Sequence, residues 1–164
     1  MQYMKLDPAQ REELLISLVD MPEYVKAVFG GLGPEQMRTP GPDGTPSPIE
    51  QVWHLADLER EGFGERIRRL LGEHQPRLPD FNGAQVAAER NYRSRSLEDG
   101  LVAFAEARRH NVATLRGVQP DSWLRSGNQE GVGKVSLCDI PGFMSQHDSA
   151  HRIEIEAWRQ SEVR

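Results

Sequence analysis

Leu137-Cys138-Asp139-Ile140-Pro141-Gly142-Phe143-Met144-Ser145-Gln146-His147-Asp148-Ser149-Ala150-His151-Arg152-Ile153-Glu154-Ile155-Glu156-Ala157-Trp158 carries one apolar stripe at helical spacing: Leu137, Ile140, Met144, Ile155 and Trp158. His147 and His151 fill the two places in that stripe between Met144 and Ile155, so two imidazoles stand at positions that face a core. Residues four apart on an α-helix lie about 40° apart around the axis and one turn along it, so both rings can point at a single atom. A lone inward histidine is ordinarily a hydrogen-bonded core residue. Two side by side must be desolvated together, which is costly unless something binds them. The spacing therefore points to a metal ion, although residue 148 is Asp and residue 149 Ser, so the internal glutamate of the helical zinc-protease motif is missing.

A helix with one buried stripe needs partners, and three further segments supply them. Asp7-Pro8-Ala9-Gln10 reads as a capping box with proline at the first helical position, followed by the stripe Leu14, Leu18, Met21, Val25 and Val28. Pro22 has no N–H to give to the Leu18 carbonyl, so it should kink this helix. Ser47-Pro48-Ile49-Glu50 is a second capping box, and Gly72 stands where that helix should end; its stripe is Ile49, Trp53, Ala56, Phe63, Ile67 and Leu70. Arg66, Arg68 and Arg69 sit near its negative end and read as a solvated face. The third helix runs from Ser96 to before Gly117 with Leu97, Leu101, Phe104, Val112 and Leu115 on one side. No stretch shows sustained period-two alternation, so no strand is expected. The reading is an all-α fold of four helices joined by three long connections, roughly 30–47, 72–96 and 117–136, so that at least one of them crosses over.

Length and composition agree with a single domain over 1–164. Twenty Lys and Arg against 25 Asp and Glu leave a net charge of −5, the wrong sign for a general nucleic-acid binder, which must neutralise phosphates. The longest aliphatic run, Leu14 to Val19, is bracketed by Glu13 and Asp20 and is far short of the roughly 20 apolar residues of a membrane span. A cytoplasmic protein with no membrane partner is the expectation. Cys138 has no second cysteine to pair with. Nine residues before His147, about half a turn away on a continuous helix, it faces away from the histidines and reads as a small buried residue.

A catalytic site of this type wants a third protein ligand and an open position. His74 lies in a loop beside Glu73 and Gln75, and His110 follows Arg108 and Arg109 on a polar stretch, so both read as surface. His54 is the better candidate, but it lies about 100° round from Trp53 at the flank of the stripe, and periodicity alone leaves its role open. Leu55 and Leu58 lie further round, so a second face of this helix is expected to be buried by another helix or subunit.

Ile49-Glu50-Gln51-Val52-Trp53-His54-Leu55-Ala56-Asp57-Leu58-Glu59 with Arg66-Ile67, then Trp123, Gly133, Ser136-Leu137 and His147-Asp148-x-x-His151-Arg152-Ile153-Glu154-Ile155, resembles the DinB/YfiT-like family of metalloenzymes. The resemblance spans Leu6 to Trp158. It implies a four-helix bundle of up-down-down-up topology and a divalent metal ion held by His54, His147 and His151. It also implies relatives that are bacillithiol S-transferases or a mycothiol-dependent isomerase, and frequent homodimers. Pro141-Gly142 departs from the family pattern. It falls either in the first turn of the last helix, if Asp139 is the cap, or as a bend before the ligands.

Three neutral imidazoles leave a divalent ion its full charge, which acidifies water or a thiol beside it; zinc-bound water, for example, titrates near about pH 7. The expected function is activation of a low-molecular-weight thiol or water against a small electrophilic substrate. The alternative is a non-catalytic metal-binding or ligand-sensing stress-response bundle. Zinc, nickel and iron all suit imidazole ligands. Asp57, Asp148 and Glu154 are candidates to orient the imidazoles, or are solvated charges. Arg90, Arg93 and Arg95, in the second connection, are candidates for an anionic substrate.

Overall fold

The computed structural model describes residues 2–162. Helix α1 spans Pro8–Phe29. The second rod is α2, Pro48–Asp57, continued without a break by a π-helical stretch, Leu58–Phe63, and by α3, Gly64–Gly72. A short α4, Gly83–Arg90, lies in the crossover, and α5, Leu97–Arg116, and α6, Ile140–Glu162, complete the bundle. The stripes expected from sequence are the buried ones: Leu18, Met21 and Val25 on α1, Ile49 to Leu70 on the second rod, Leu97 to Leu115 on α5. Leu55 and Leu58 are buried within the chain itself.

The core falls into two apolar clusters. One joins Leu15 and Leu18 of α1 to Phe63, Ile67 and Leu70, to Val112 and Leu115, and to Ile140 and Met144. The other joins Met21, Val25 and Phe29 to Ile49, Val52 and Ala56, to Leu97, Leu101 and Phe104, and to Ile155 and Trp158. Passing from the first cluster to the second, α1 and α6 run forward while the second rod and α5 run backward. That is the up-down-down-up arrangement. Two consecutive long rods run parallel, so the 73–96 connection must return along the bundle, and α4 lies on that return.

Helix ends follow local chemistry. Asp7 accepts from Gln10 N at 2.8 Å while Gln10 Oε1 accepts from Asp7 N at 3.0 Å, closing the expected capping box. The Ser47 box is different: its hydroxyl donates to Glu50 Oε1 at 2.5 Å and caps no backbone N–H. At the end of the second rod Arg125 donates to the Leu70 and Glu73 carbonyls at 2.7 and 2.9 Å, satisfying orphan acceptors. Pro141 sits in the first turn of α6, after a capping box between Ser136 and Asp139, so no bend precedes the histidines. Cys138 is buried.

One expectation of the sequence is corrected here. A small sheet exists, with β1 (Arg77–Leu78) parallel to β2 (Ser126–Gln129) and β2 antiparallel to β3 (Gly133–Ser136). These strands have two to four residues, too short to display a period, and β2 and β3 each contain a glycine. Pro22, expected to kink this helix, lies inside α1, which continues on both sides of it. The carbonyl that proline leaves without a donor, Leu18 O, accepts instead from Arg108 Nη1 at 2.8 Å, so tertiary packing replaces the lost bond.

Candidate metal site

Between the two apolar clusters lies a polar layer. Its scaffold is Arg108, 1% exposed. It donates to both carboxylate oxygens of Asp148 at 2.7 and 2.9 Å and to Glu59 Oε1 at 2.8 Å, above the ring of Phe104. Asn111 Nδ2 donates to the Glu59 carboxylate at 2.8 Å and to its carbonyl at 2.9 Å. Glu59 belongs to the π stretch, where Gly64 N bonds the Glu59 carbonyl five residues back, widening the turn. Gly64 is required here: a Cβ would stand 2.8 Å from Glu59 O and 3.1 Å from Asn111 Oδ1.

Beside this scaffold the structure brings His54 of α2 together with His147 and His151 of α6. Their closest ring nitrogens all lie within 4.8 Å of one another. His147 Nε2 and His151 Nε2 are 3.2 Å apart, and the ring centroids of His54 lie 5.7 and 5.2 Å from those two. Burial pushes all three imidazoles down, His54 to about 4, His147 to about 3 and His151 to about 4. They are therefore neutral at pH 7, each with a lone pair to give. Tetrahedral zinc with nitrogen ligands at about 2.0–2.1 Å requires nitrogens about 3.3 Å apart, which the α6 pair already matches. The donor set fits a divalent cation.

Local structure explains each placement. His147 and His151 are held at i and i+4 by the stripe of α6, with the edge of His147 against Phe63 at 5.9 Å between centroids. His54 packs against Phe81 at 6.4 Å and against the start of α4, where a Cβ on Gly83 would come within 2.8 Å of its Cε1. The return connection thus walls the site. His74 and His110 are exposed.

The three carboxylates expected to orient the imidazoles separate. Glu154 Oε2 lies 3.2 Å from His151 Nδ1, yet off-line, so that neither atom has a hydrogen-bond partner. Asp57 instead accepts from Tyr92 Oη at 2.6 Å and pairs with Arg60 and Arg90 at 2.8 and 2.9 Å. Asp148 is taken by Arg108. Among the described residues no hydrogen bond or ion pair joins Asp57 or Asp148 to an imidazole.

The arginines also depart from the sequence expectation. Arg90 is committed to Asp57 and Glu61, Arg93 lies 3.7 Å from Glu50, and Arg95 stacks over Trp53 and Tyr92. Arg66, expected on a solvated face, is buried at 8% exposure, three residues after Phe63 and four before Leu70 on the buried side of α3. Arg108 stood in plain view: it falls on the apolar stripe between Phe104 and Val112, where a cation signals a buried partner.

Residues 17–155 match the DinB superfamily. A protein of Geobacillus thermodenitrificans (strain NG80-2) named "Putative metal-dependent hydrolase" is 30% identical over 150 residues, 91% of this chain and 84% of that protein. The solved structure of YfiT from Bacillus subtilis, described as "a probable metal-dependent hydrolase with an unusual four-helix bundle topology", superposes with a TM-score of 0.85 at 18% identity, over 94% of this chain and 89% of that one. The direction of the four rods and the matched span lead to one conclusion: the chain belongs to the DinB superfamily.

Proposed function

We propose that His54, His147 and His151 hold one divalent metal ion and that the protein is a metal-dependent hydrolase of a small electrophilic substrate. The observation that carries this reading is the convergence of three neutral imidazoles within 4.8 Å, which no fourth His, Cys, Asp or Glu joins among the described residues. Three protein ligands with a position left over is the pattern of a catalytic site, whereas a structural site is closed by four. Bound there, a divalent cation supplies the positive charge that makes water or a low-molecular-weight thiol a nucleophile near neutral pH.

The chain's own residues do the rest. Glu154 Oε2, 3.2 Å from His151 Nδ1, is the carboxylate that would accept a hydrogen bond from Nδ1–H once aligned, the tautomer that leaves the Nε2 lone pair for the ion. Phe63 and Phe81 line the imidazoles with apolar surface and exclude bulk water. The Arg108 network fixes α5, α6 and the π stretch relative to one another, and so sets the spacing of the three rings. The naming of the Geobacillus relative as a hydrolase supports water as the nucleophile over a thiol.

The test is metal content and turnover together. Purified protein is expected to bind one equivalent of zinc, nickel or iron, and His54→Ala, His147→Ala and His151→Ala are each expected to lose it. Loaded protein should hydrolyse members of a panel of activated esters and amides faster than chelator-treated protein, with thiols assayed as competing nucleophiles. Unchanged metal content in all three variants overturns the site, and equal rates with and without metal overturn the hydrolase.

A further inference from the structure

Arg66 is the one buried arginine whose guanidinium makes no hydrogen bond or ion pair among the described residues, with only the Phe63 ring against it. It is 8% exposed, and no hydrogen bond or ion pair within 4.0 Å reaches it among the described residues. Its Nε is buried without a partner. Asp80 acts on it only electrostatically, from beyond ion-pair distance. The two terminal nitrogens, bonded to no described residue, are not among the fully buried atoms; a guanidinium held against apolar surface with no anion beside it is costly, so a position like this asks what completes it.

Its place gives the answer. The guanidinium carbon lies 5.6 Å from the centre of the Phe63 ring, the same ring whose centre lies 5.9 Å from that of His147. Arg66 and His147 therefore flank one aromatic side chain. On a regular α-helix Arg66 would lie about 120° round from His54, twelve residues earlier. The π stretch absorbs about one residue, leaving an effective spacing of eleven, three turns to within about 20°. The π stretch thus carries Arg66 onto the helix face of His54.

We propose that Arg66 is the receptor for an oxyanion of the substrate, a carboxylate or phosphate group, held beside the three histidines while the electrophilic centre of the same molecule lies at the metal position. An arginine presents a planar fork of donors matched to such a group. This deepens the hydrolase reading and rests on it for the identity of the neighbouring site. It makes the substrate an acidic small molecule.

The experiment follows the thermal midpoint of zinc-loaded and metal-free protein against acetate and inorganic phosphate at constant ionic strength, for wild type, Arg66→Gln and Arg66→Lys. Zinc stoichiometry is measured on the same samples. Wild type is expected to show a saturable rise in midpoint. Arg66→Gln should weaken the apparent affinity at least tenfold with zinc content unchanged, and Arg66→Lys should fall between. The stronger of the two anions identifies the group. An undiminished response in Arg66→Gln, or no saturable response to either anion in wild type, overturns the proposal. If zinc is not bound but the anion response still depends on Arg66, the arginine site stands and the metal reading falls.

Discussion

Arg108 and Arg66 occupy the same bundle, and both are more than nine-tenths buried, at 1% and 8% exposure. Arg108 spends its two terminal nitrogens on four bonds, to Leu18 O, Glu59 and both oxygens of Asp148, whereas Arg66 makes none among the described residues. The first is a structural cation: it repairs the carbonyl left open by Pro22 and joins three rods through one group. The second is held in place by packing but left electrostatically open beside the histidines. Burial alone does not tell a scaffold charge from a binding charge; its partners do.

Substitution of each arginine by methionine tests that contrast. Arg108→Met leaves Glu59 and Asp148 buried without a cation, and the expected loss in chemical denaturation is about 3–5 kcal/mol. Adding Glu59→Gln and Asp148→Asn should recover part of it. Arg66→Met removes a charge that has no protein partner, so stability should change by less than about 1 kcal/mol or rise. Equal losses at the two positions would erase the distinction.

A smaller effect is expected at Glu154, the only one of the three carboxylates near an imidazole. Glu154→Gln should weaken metal affinity about 10- to 100-fold, while Asp57→Asn, which disturbs the bonds to Tyr92, Arg60 and Arg90, should lower stability with little change in metal affinity. Competitive chelator titration reads the first and denaturant titration the second. A reversed pattern would make Asp57 the orienting group.

The metal-free protein should also be acid-labile in a defined window. The three imidazoles titrate at about 3 to 4 when folded and near 6.5 when unfolded. Below that value the unfolded chain takes up protons that the folded one refuses, so their contribution is full above pH 6.5 and is lost as the pH falls toward 4. The thermal midpoint of metal-free protein should drop between pH 7.5 and 5, and His147→Gln should flatten the drop. A midpoint independent of pH in that range would place the rings in water.

The sequence was legible where one stripe repeats on one helix. The His147 and His151 pair, the buried faces of α1, α5 and the second rod, and the Asp7 box all follow from spacings within a dozen residues. His54 lies at a flank of its stripe, and only the family pattern of residues around it pointed inward. The π stretch was invisible because its cause is tertiary: Glu59 is drawn to Arg108 and Asn111, and the turn widens to allow it. Arg66 read as solvated because it is a cation near the helix C-terminus, although it stands at i+3 from Phe63 and i−4 from Leu70, beside the buried stripe. That the carbonyl left open by Pro22 is satisfied could not be read locally, because its donor, Arg108, lies 86 positions later in the chain. The strands are held by pairing between distant short segments with no periodicity of their own.

In the proposed site three imidazoles, one from the second rod and two from the last, share one ion. X-ray absorption spectroscopy on the zinc-reconstituted protein tests it most directly. One zinc per chain is expected, with three histidine nitrogens at about 2.0–2.1 Å and a remaining oxygen ligand, reduced to two histidines in His54→Ala. A spectrum of two or fewer histidines in the wild-type protein, or one that His54→Ala leaves unchanged, would contradict it.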